Sequence, residues 1–305
     1  MTSLRHLCMA TAGIAALSAT LPANAKSLET AFGTVEIDDD PTRVVTLYTN
    51  ALDSALTAGV APLGAVATRG GDGVARYFGE QADGIEIVGT PRETNIEAVA
   101  ALAPDVILAS PQLPEAQYEL LSRIAPTVVP DVEPYQMESW ENEARVYGKA
   151  LGRSDTIDDA IAEIDAKAEA LSERQNGSPT ASLIRWMPQG AIVMADNIFA
   201  GTLLTKSGFM VDDGDTVKEG RPHSDPLSLE NLSRIDNDWL FLATLNAEGD
   251  EAYEAARQSP AFERLDVVQR DRVVSVDGQL WSSATGPMAA KAILDDIASA
   301  MDTAQ

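Results

Sequence analysis

From Arg43 onward, short apolar runs alternate with longer amphipathic stretches. Val44-Val45-Thr46-Leu47 reads as a buried strand, and Ala51 to Leu56 as a helix that stops at Gly59. Leu63 to Ala67 and Ile85 to Val88 read as two further strands. Asn95 caps an amphipathic helix through Leu102, and Pro104 to Ala109 gives another strand. Strands and helices alternating at this spacing predict a parallel sheet.

The period changes over residues 139–176. Ile157, Ile161, Ile164, Ala168 and Leu171 follow one another at spacings of 4, 3, 4 and 3, the apolar stripe of one helix face. Trp140, Ala144, Tyr147 and Leu151 carry the same period upstream, with Gly152 as a kink or break. Asn176-Gly177-Ser178-Pro179 is the stop. A second αβ pattern then begins with Ala181 to Trp186 and Ala191 to Met194. It continues through helices near Thr202 to Ser207 and from Ser228, the strand Trp239 to Leu242, the helical Ala252 to Arg257 and the strand Val273 to Val276. A C-terminal helix spans Pro287 to Met301. The expectation is an α/β protein of two αβ lobes with central, mainly parallel sheets joined by one long backbone helix. Residues 26–138 form the N-terminal lobe, 139–176 the connecting helix and 177–305 the C-terminal lobe, with ligand held in a cleft at the carboxyl ends of the strands.

Residues 1–25 have a different character. A short basic start with Arg5 and His6, an apolar small-residue run to Leu21, and Ala23-Asn24-Ala25 have the form of a secretory signal peptide cut after Ala25. No later apolar run reaches the 18 or more residues of a membrane helix, so the expected product is exported to the periplasm. Cys8 is the chain's one cysteine and falls inside this segment. The mature protein is left without disulfide, thiolate nucleophile or Cys-based metal site. The two histidines are His6 and His223, which excludes a metal centre built from several His.

Charge narrows the partners. Lys+Arg 22 against Asp+Glu 47 gives a net charge of -25, a surface that repels nucleic-acid phosphates and anionic lipid. Against that background, cations at strand ends stand out. Arg69 follows the second strand, Arg92 precedes the Asn95 helix, Arg185 ends the first strand of the second lobe, and Arg221 lies in a later loop. A guanidinium fork offers paired hydrogen bonds to anionic oxygens.

Five phrases, in this order, carry a resemblance: Pro41-Thr-Arg43-Val-Val, Ala51-Leu-Asp-Ser-Ala-Leu-Thr-Ala-Gly59-Val-Ala-Pro62-Leu-Gly64, Val88-Gly89-Thr-Pro-Arg-Glu-Thr-Asn95-Ile-Glu97, Leu102-Ala-Pro104-Asp105-Val-Ile-Leu, and Leu227-Ser-Leu-Glu230 with Ile235-Asp236. Together they resemble the periplasmic iron-siderophore binding proteins of ABC importers, the ferric-citrate and ferrichrome type with a helical backbone (class III), over nearly all of residues 35–303. The resemblance implies a bilobal fold, a shallow cleft holding a ferric chelate, and delivery to a permease dimer in the inner membrane. It further implies that a Glu opening one helix in each lobe pairs with permease Arg residues, here Glu97 and Glu230. The siderophore supplies the iron's ligands, so no direct metal ligand, intrinsic cofactor or catalytic residue is expected, and the protein is expected to be a monomer.

The family has no fixed ligand set, so the cleft candidates rest on position. Tyr48 follows the first strand, where a ring stacks and a hydroxyl donates. Trp186 sits beside Arg185, and Trp281 in the loop before the C-terminal helix. Tyr77 and Phe199 are weaker candidates, and Trp140 and Trp239 read as core. Haem or cobalamin is the alternative cargo within the same transporter class, with Tyr48 or His223 as a haem ligand. From another class, a hydrolase centred on His223-Ser224-Asp225 has the residue types of a triad. It lacks a nucleophile elbow, and adjacent residues do not converge as a triad requires. Asp212-Asp213-Gly214-Asp215 reads as a solvated turn.

Overall fold

The computed structural model describes residues 25–175 and 177–303. The expected signal peptide, with Cys8 and His6, lies outside the described residues except for Ala25. That residue opens β1 (Ala25–Thr30), which pairs antiparallel with β2 (Gly33–Asp38).

The N-terminal lobe is built on β3 (Val44–Thr46), β4 (Gly64–Ala65), β5 (Glu86–Ile87), β6 (Val106–Leu108) and β7 (Thr127–Val128), parallel throughout in the order β5-β4-β3-β6-β7. Its connections are α1 (Thr49–Thr57), a 3-10 segment Arg76–Ala82, α2 (Ile96–Ala101) and α3 (Glu115–Leu121). The central strands β3 and β6 are buried on both faces because both are covered. Val44, Val106 and Leu108 face the central core, whereas Val45 and Ile107 face a second cluster with Val66, Val88 and Val99. Asn95 caps α2 as expected, its side chain accepting from the Ala98 amide at 3.0 Å.

The sequence period over 139–176 becomes two helices, α4 (Ser139–Ala150) and α5 (Ser154–Arg174). Gly152 between them has φ +69, and a Cβ there would lie 2.5 Å from the Asp39 carbonyl oxygen, so the turn requires glycine. Ile157, Ile161, Ile164, Ala168 and Leu171 are all buried, as the stripe predicts.

The C-terminal lobe has β8 (Thr180–Met187), β9 (Gly190–Val193), β10 (Met210–Val211), β11 (Trp239–Thr244) and β12 (Val273–Asp277). The order is β10-β8-β11-β12, parallel, with β9 antiparallel against β8. Its helices are α6 (Phe199–Lys206), α7 (Ala247–Arg257), the short α8 (Pro260–Glu263) and α9 (Asp266–Gln269), α10 (Gly278–Ser283) and α11 (Pro287–Thr303), with a 3-10 segment Leu229–Ile235. The protein is thus an α/β fold of two lobes with mainly parallel sheets. One hydrophobic cluster runs through both, joining Val44 and Val106 to α4, α5, Leu183, Phe241 and α11. The lobes are also tied by an Arg76–Asp277 ion pair at 2.6 Å.

Candidate functional site

A cleft of about 380 Å³ opens where the carboxyl ends of the strands of both sheets meet. Tyr48 follows β3, Arg69 follows β4, Ser110 and Gln112 follow β6, and Tyr135 follows β7. Trp140 and Glu143 come from α4. The other lobe contributes Arg185, Asn197, Phe199, His223, Trp281 and Ser283.

The arginines set its electrostatics. Arg185 is only 4% exposed, and its guanidinium is less easily kept charged than usual, through burial first and the neighbouring Arg69 second. Its Nε has no hydrogen-bond partner among the described residues. The same holds for two other buried lining groups, Trp140 Nε1 and Ser283 Oγ. Three of the five such buried atoms among the described residues thus line one cleft, where buried polar groups ordinarily find a partner.

Opposite stands a carboxylate. Glu143 is buried, and its Oε2 accepts from Asn50 Nδ2 at 2.8 Å. Asn50 also donates to the Trp140 carbonyl at 3.0 Å, and its own oxygen accepts from Ser54 Oγ at 2.9 Å. Burial pushes the Glu143 carboxyl up to about 7, against the opposing pull of Asn50 and the Tyr48 hydroxyl. The Tyr48 phenol is in turn raised well above its usual range by burial and by Glu143. Tyr135 at the mouth is 41% exposed and has φ +58, left-handed backbone that a bulky side chain rarely adopts.

Of the sequence candidates, Tyr48, Arg69, Arg185 and Trp281 line the cleft, and Phe199 joins them. Three do not. Trp186 is 2% exposed and packs against Tyr253 and Phe262 with Ile184, because successive residues of β8 point to opposite faces and only Arg185 faces the cleft. Arg92 is exposed in the tight turn Thr90–Glu93, beyond the edge strand β5. Arg221 is exposed and paired with Asp225 at 3.1 Å. Trp281 lies not in a loop but in α10, 1% exposed, stacked on Phe241 and donating Nε1 to Asp296 at 2.8 Å. Trp140, read as core, is 3% exposed within the central cluster and also lines the cleft, its ring edge-on to Phe199. Tyr77 instead donates its hydroxyl to Asp53. Glu143, Asn197 and Tyr135 carried no sequence signal, since nothing local separates them from ordinary helix and loop residues.

His223, Ser224 and Asp225 do not converge. His223 Nδ1 meets the Ser224 carbonyl at 2.8 Å, Ser224 Oγ donates to the Asp225 carbonyl, and Asp225 pairs outward with Lys218 and Arg221. Glu97 and Glu230 are both exposed, in the first turns of α2 and of the 3-10 segment Leu229–Ile235. Glu97 is the second residue of its helix, and the cap is made by Asn95 alone.

Residues 53–280 match the family described as periplasmic binding protein. The chain belongs to that family. Among its relatives, the probable siderophore-binding lipoprotein YfiY of Bacillus subtilis is 28% identical to this periplasmic binding protein, covering 89% of this chain and 86% of the relative. The achromobactin-binding periplasmic protein of Dickeya dadantii is 29% identical over 85% and 86%. The crystal structure of Staphylococcus aureus SirA complexed with staphyloferrin B superposes with a TM-score of 0.78 at 27% identity, covering 91% of this chain and 98% of that one.

Proposed function

We propose that this periplasmic binding protein captures a ferric siderophore of anionic, oxygen-rich character and delivers it to the permease of an ABC importer. The observation that carries the reading is Arg185, a buried cation with no acidic partner among the described residues, beside a second cation, Arg69. Such a pair is costly unless an anion enters between them. A chelate whose oxygens already hold Fe(III) fits, and the names of the relatives support the same class. Export through the N-terminal segment, with cleavage after Ala25, belongs to this reading, as does a monomeric state.

Titration calorimetry with ferric citrate, a ferric trihydroxamate and a ferric triscatecholate, beside haem and cobalamin, tests it. Saturable binding of a ferric chelate is the expected result. Binding of haem or cobalamin alone would overturn it in favour of the other cargo. Tyr48 and His223 both line the cleft, so the haem arm is a fair competitor.

Exposed Glu97 and Glu230, one per lobe and without a side-chain partner among the described residues, support docking to cationic permease residues. Charge reversal of both is expected to abolish uptake while chelate affinity stays unchanged.

A further inference from the structure

The chain has 47 acidic and 22 basic residues, yet the cleft inverts that ratio. Among the described residues, two arginines, Arg69 and Arg185, line it with a single carboxylate, Glu143, and His223 lies beside them. That carboxylate has no cationic partner among the described residues. Glu141, two residues earlier on the same helix, takes Lys206 at 2.5 Å and Arg145 at 3.8 Å, which leaves Glu143 only the neutral amide of Asn50 and the phenol of Tyr48. Asn50 is pinned by Ser54 and the Trp140 carbonyl, so its amide nitrogen is fixed toward Oε2. The other titratable groups around Glu143 are Tyr147 on its own helix, Tyr135 on the loop before it, and the cations across the cleft.

An ionised Glu143 would face an incoming anion with like charge in a poorly solvated site. A neutral Glu143 presents an O–H donor to the same oxygens. Resting on the siderophore reading, we propose that Glu143 takes up a proton from solvent as the chelate enters and donates its O–H to a chelate oxygen. Glu143 thereby admits an anionic chelate only in its protonated form and links affinity to pH. Burial already holds the free carboxyl at about 7, so little is needed to complete the step. Bound anion moves it further up. The sign follows: below pH ~6 the group is already protonated and no uptake occurs, and above its free value uptake approaches one proton per chelate, with affinity falling up to about tenfold per pH unit.

The test is calorimetry of the purified protein with the same three ferric chelates at pH 6 and pH 8, in buffers of different ionisation enthalpy, for wild type and Glu143→Gln. The amide still accepts from Asn50 but cannot gain a proton. Wild type is expected to take up close to one proton more than Glu143→Gln at pH 8 and none more at pH 6, and to lose affinity relative to the variant as pH rises. The chelate's own protons cancel in this difference. If Glu143→Gln does not fold by circular dichroism, the wild-type count carries the test, corrected by titrating the chelate without protein. Equal proton counts and parallel pH profiles, or a corrected wild-type count of zero at pH 8, would overturn the proposal and leave the siderophore reading standing. Absence of binding by every chelate to wild type would overturn that reading, and this proposal with it.

Discussion

Asp53 on α1 caps α11, the last helix of the chain. Its Oδ1 accepts from the Met288 amide at 2.7 Å and its Oδ2 from the Ala289 amide at 3.0 Å, while the Tyr77 hydroxyl donates to Oδ2 at 3.0 Å. The carboxyl is fully buried. Gly286 keeps the approach open, because a Cβ there would sit 2.5 Å from the Asp53 side chain. A helix of the first lobe is thereby fastened to the terminal helix that also packs on α5 and α6.

The same carboxyl makes stability depend on pH. Burial pushes Asp53 from 3.8 to about 7, outweighing the donors that pull it down. An acid with a higher value folded than unfolded holds its proton more tightly in the fold. Its contribution is complete below the unfolded value and is lost as pH rises toward the folded one, at roughly 1.4 kcal/mol per unit. Between pH 4 and 7 wild type is therefore expected to lose stability relative to Asp53→Asn, and no further above that range. Urea unfolding of both proteins at pH 5 and pH 8 checks this. Asp53→Ala removes the cap as well, so it is expected to fall about 1–2 kcal/mol below Asp53→Asn at either pH.

Arg185 separates ligand affinity from stability. In the free protein it is a buried cation facing another cation, so replacing it with Met is expected to leave thermal stability unchanged or slightly raised. Affinity for an anionic ferric chelate should fall by about 1.5–3 kcal/mol, the range of a hydrogen bond to a charged group. Arg69 is exposed, and Arg69→Met should cost less. Unchanged affinity in Arg185→Met would remove the main support for an anionic ligand.

These residues mark where the sequence was legible. The Ile157-to-Leu171 stripe, the Asn95 cap and the alternating apolar runs depend on neighbours within a few positions, and they read correctly. Trp186 misread because β8 is buried on both faces, so hydrophobicity gives no sign of which alternate residues meet the cleft. Asn50 and Asp53 sit on a helix that looks amphipathic in sequence but is enclosed by α4, α5 and α11, and their partners lie 93 and 235 residues away. Asp105 behaves likewise. Within the Leu-Ala-Pro-Asp phrase it accepts the Thr42 and Arg43 amides, pinning the entry to β3 beside β6. That motif residue is structural, and its spacing says nothing about ligand.

Tyr135 holds its ring at the cleft mouth on left-handed backbone, φ +58. Such a conformation costs a bulky L-residue roughly 1–2 kcal/mol that glycine is spared. Tyr135→Gly is expected to be at least as stable as wild type while binding chelate more weakly, and Tyr135→Phe to keep most of the affinity. Lower stability in the glycine variant would show that the ring acts as packing rather than as a ligand contact.

Tryptophan emission distinguishes the faces of β8. Trp140 and Trp281 line the cleft, whereas Trp186 is sealed behind Arg185 against Tyr253 and Phe262. A ferric chelate in the cleft can quench by contact only the rings that line it, so the short-range part of the quenching should fall on Trp140 and Trp281. Trp140→Phe is expected to lose the largest share of the quenching, Trp281→Phe a smaller one because its ring is stacked on Phe241 and 1% exposed. Trp186→Phe should retain nearly all of it. Loss of the signal in Trp186→Phe, with the others unaffected, would place the chelate on the far face of the sheet and overturn the assignment of the cleft.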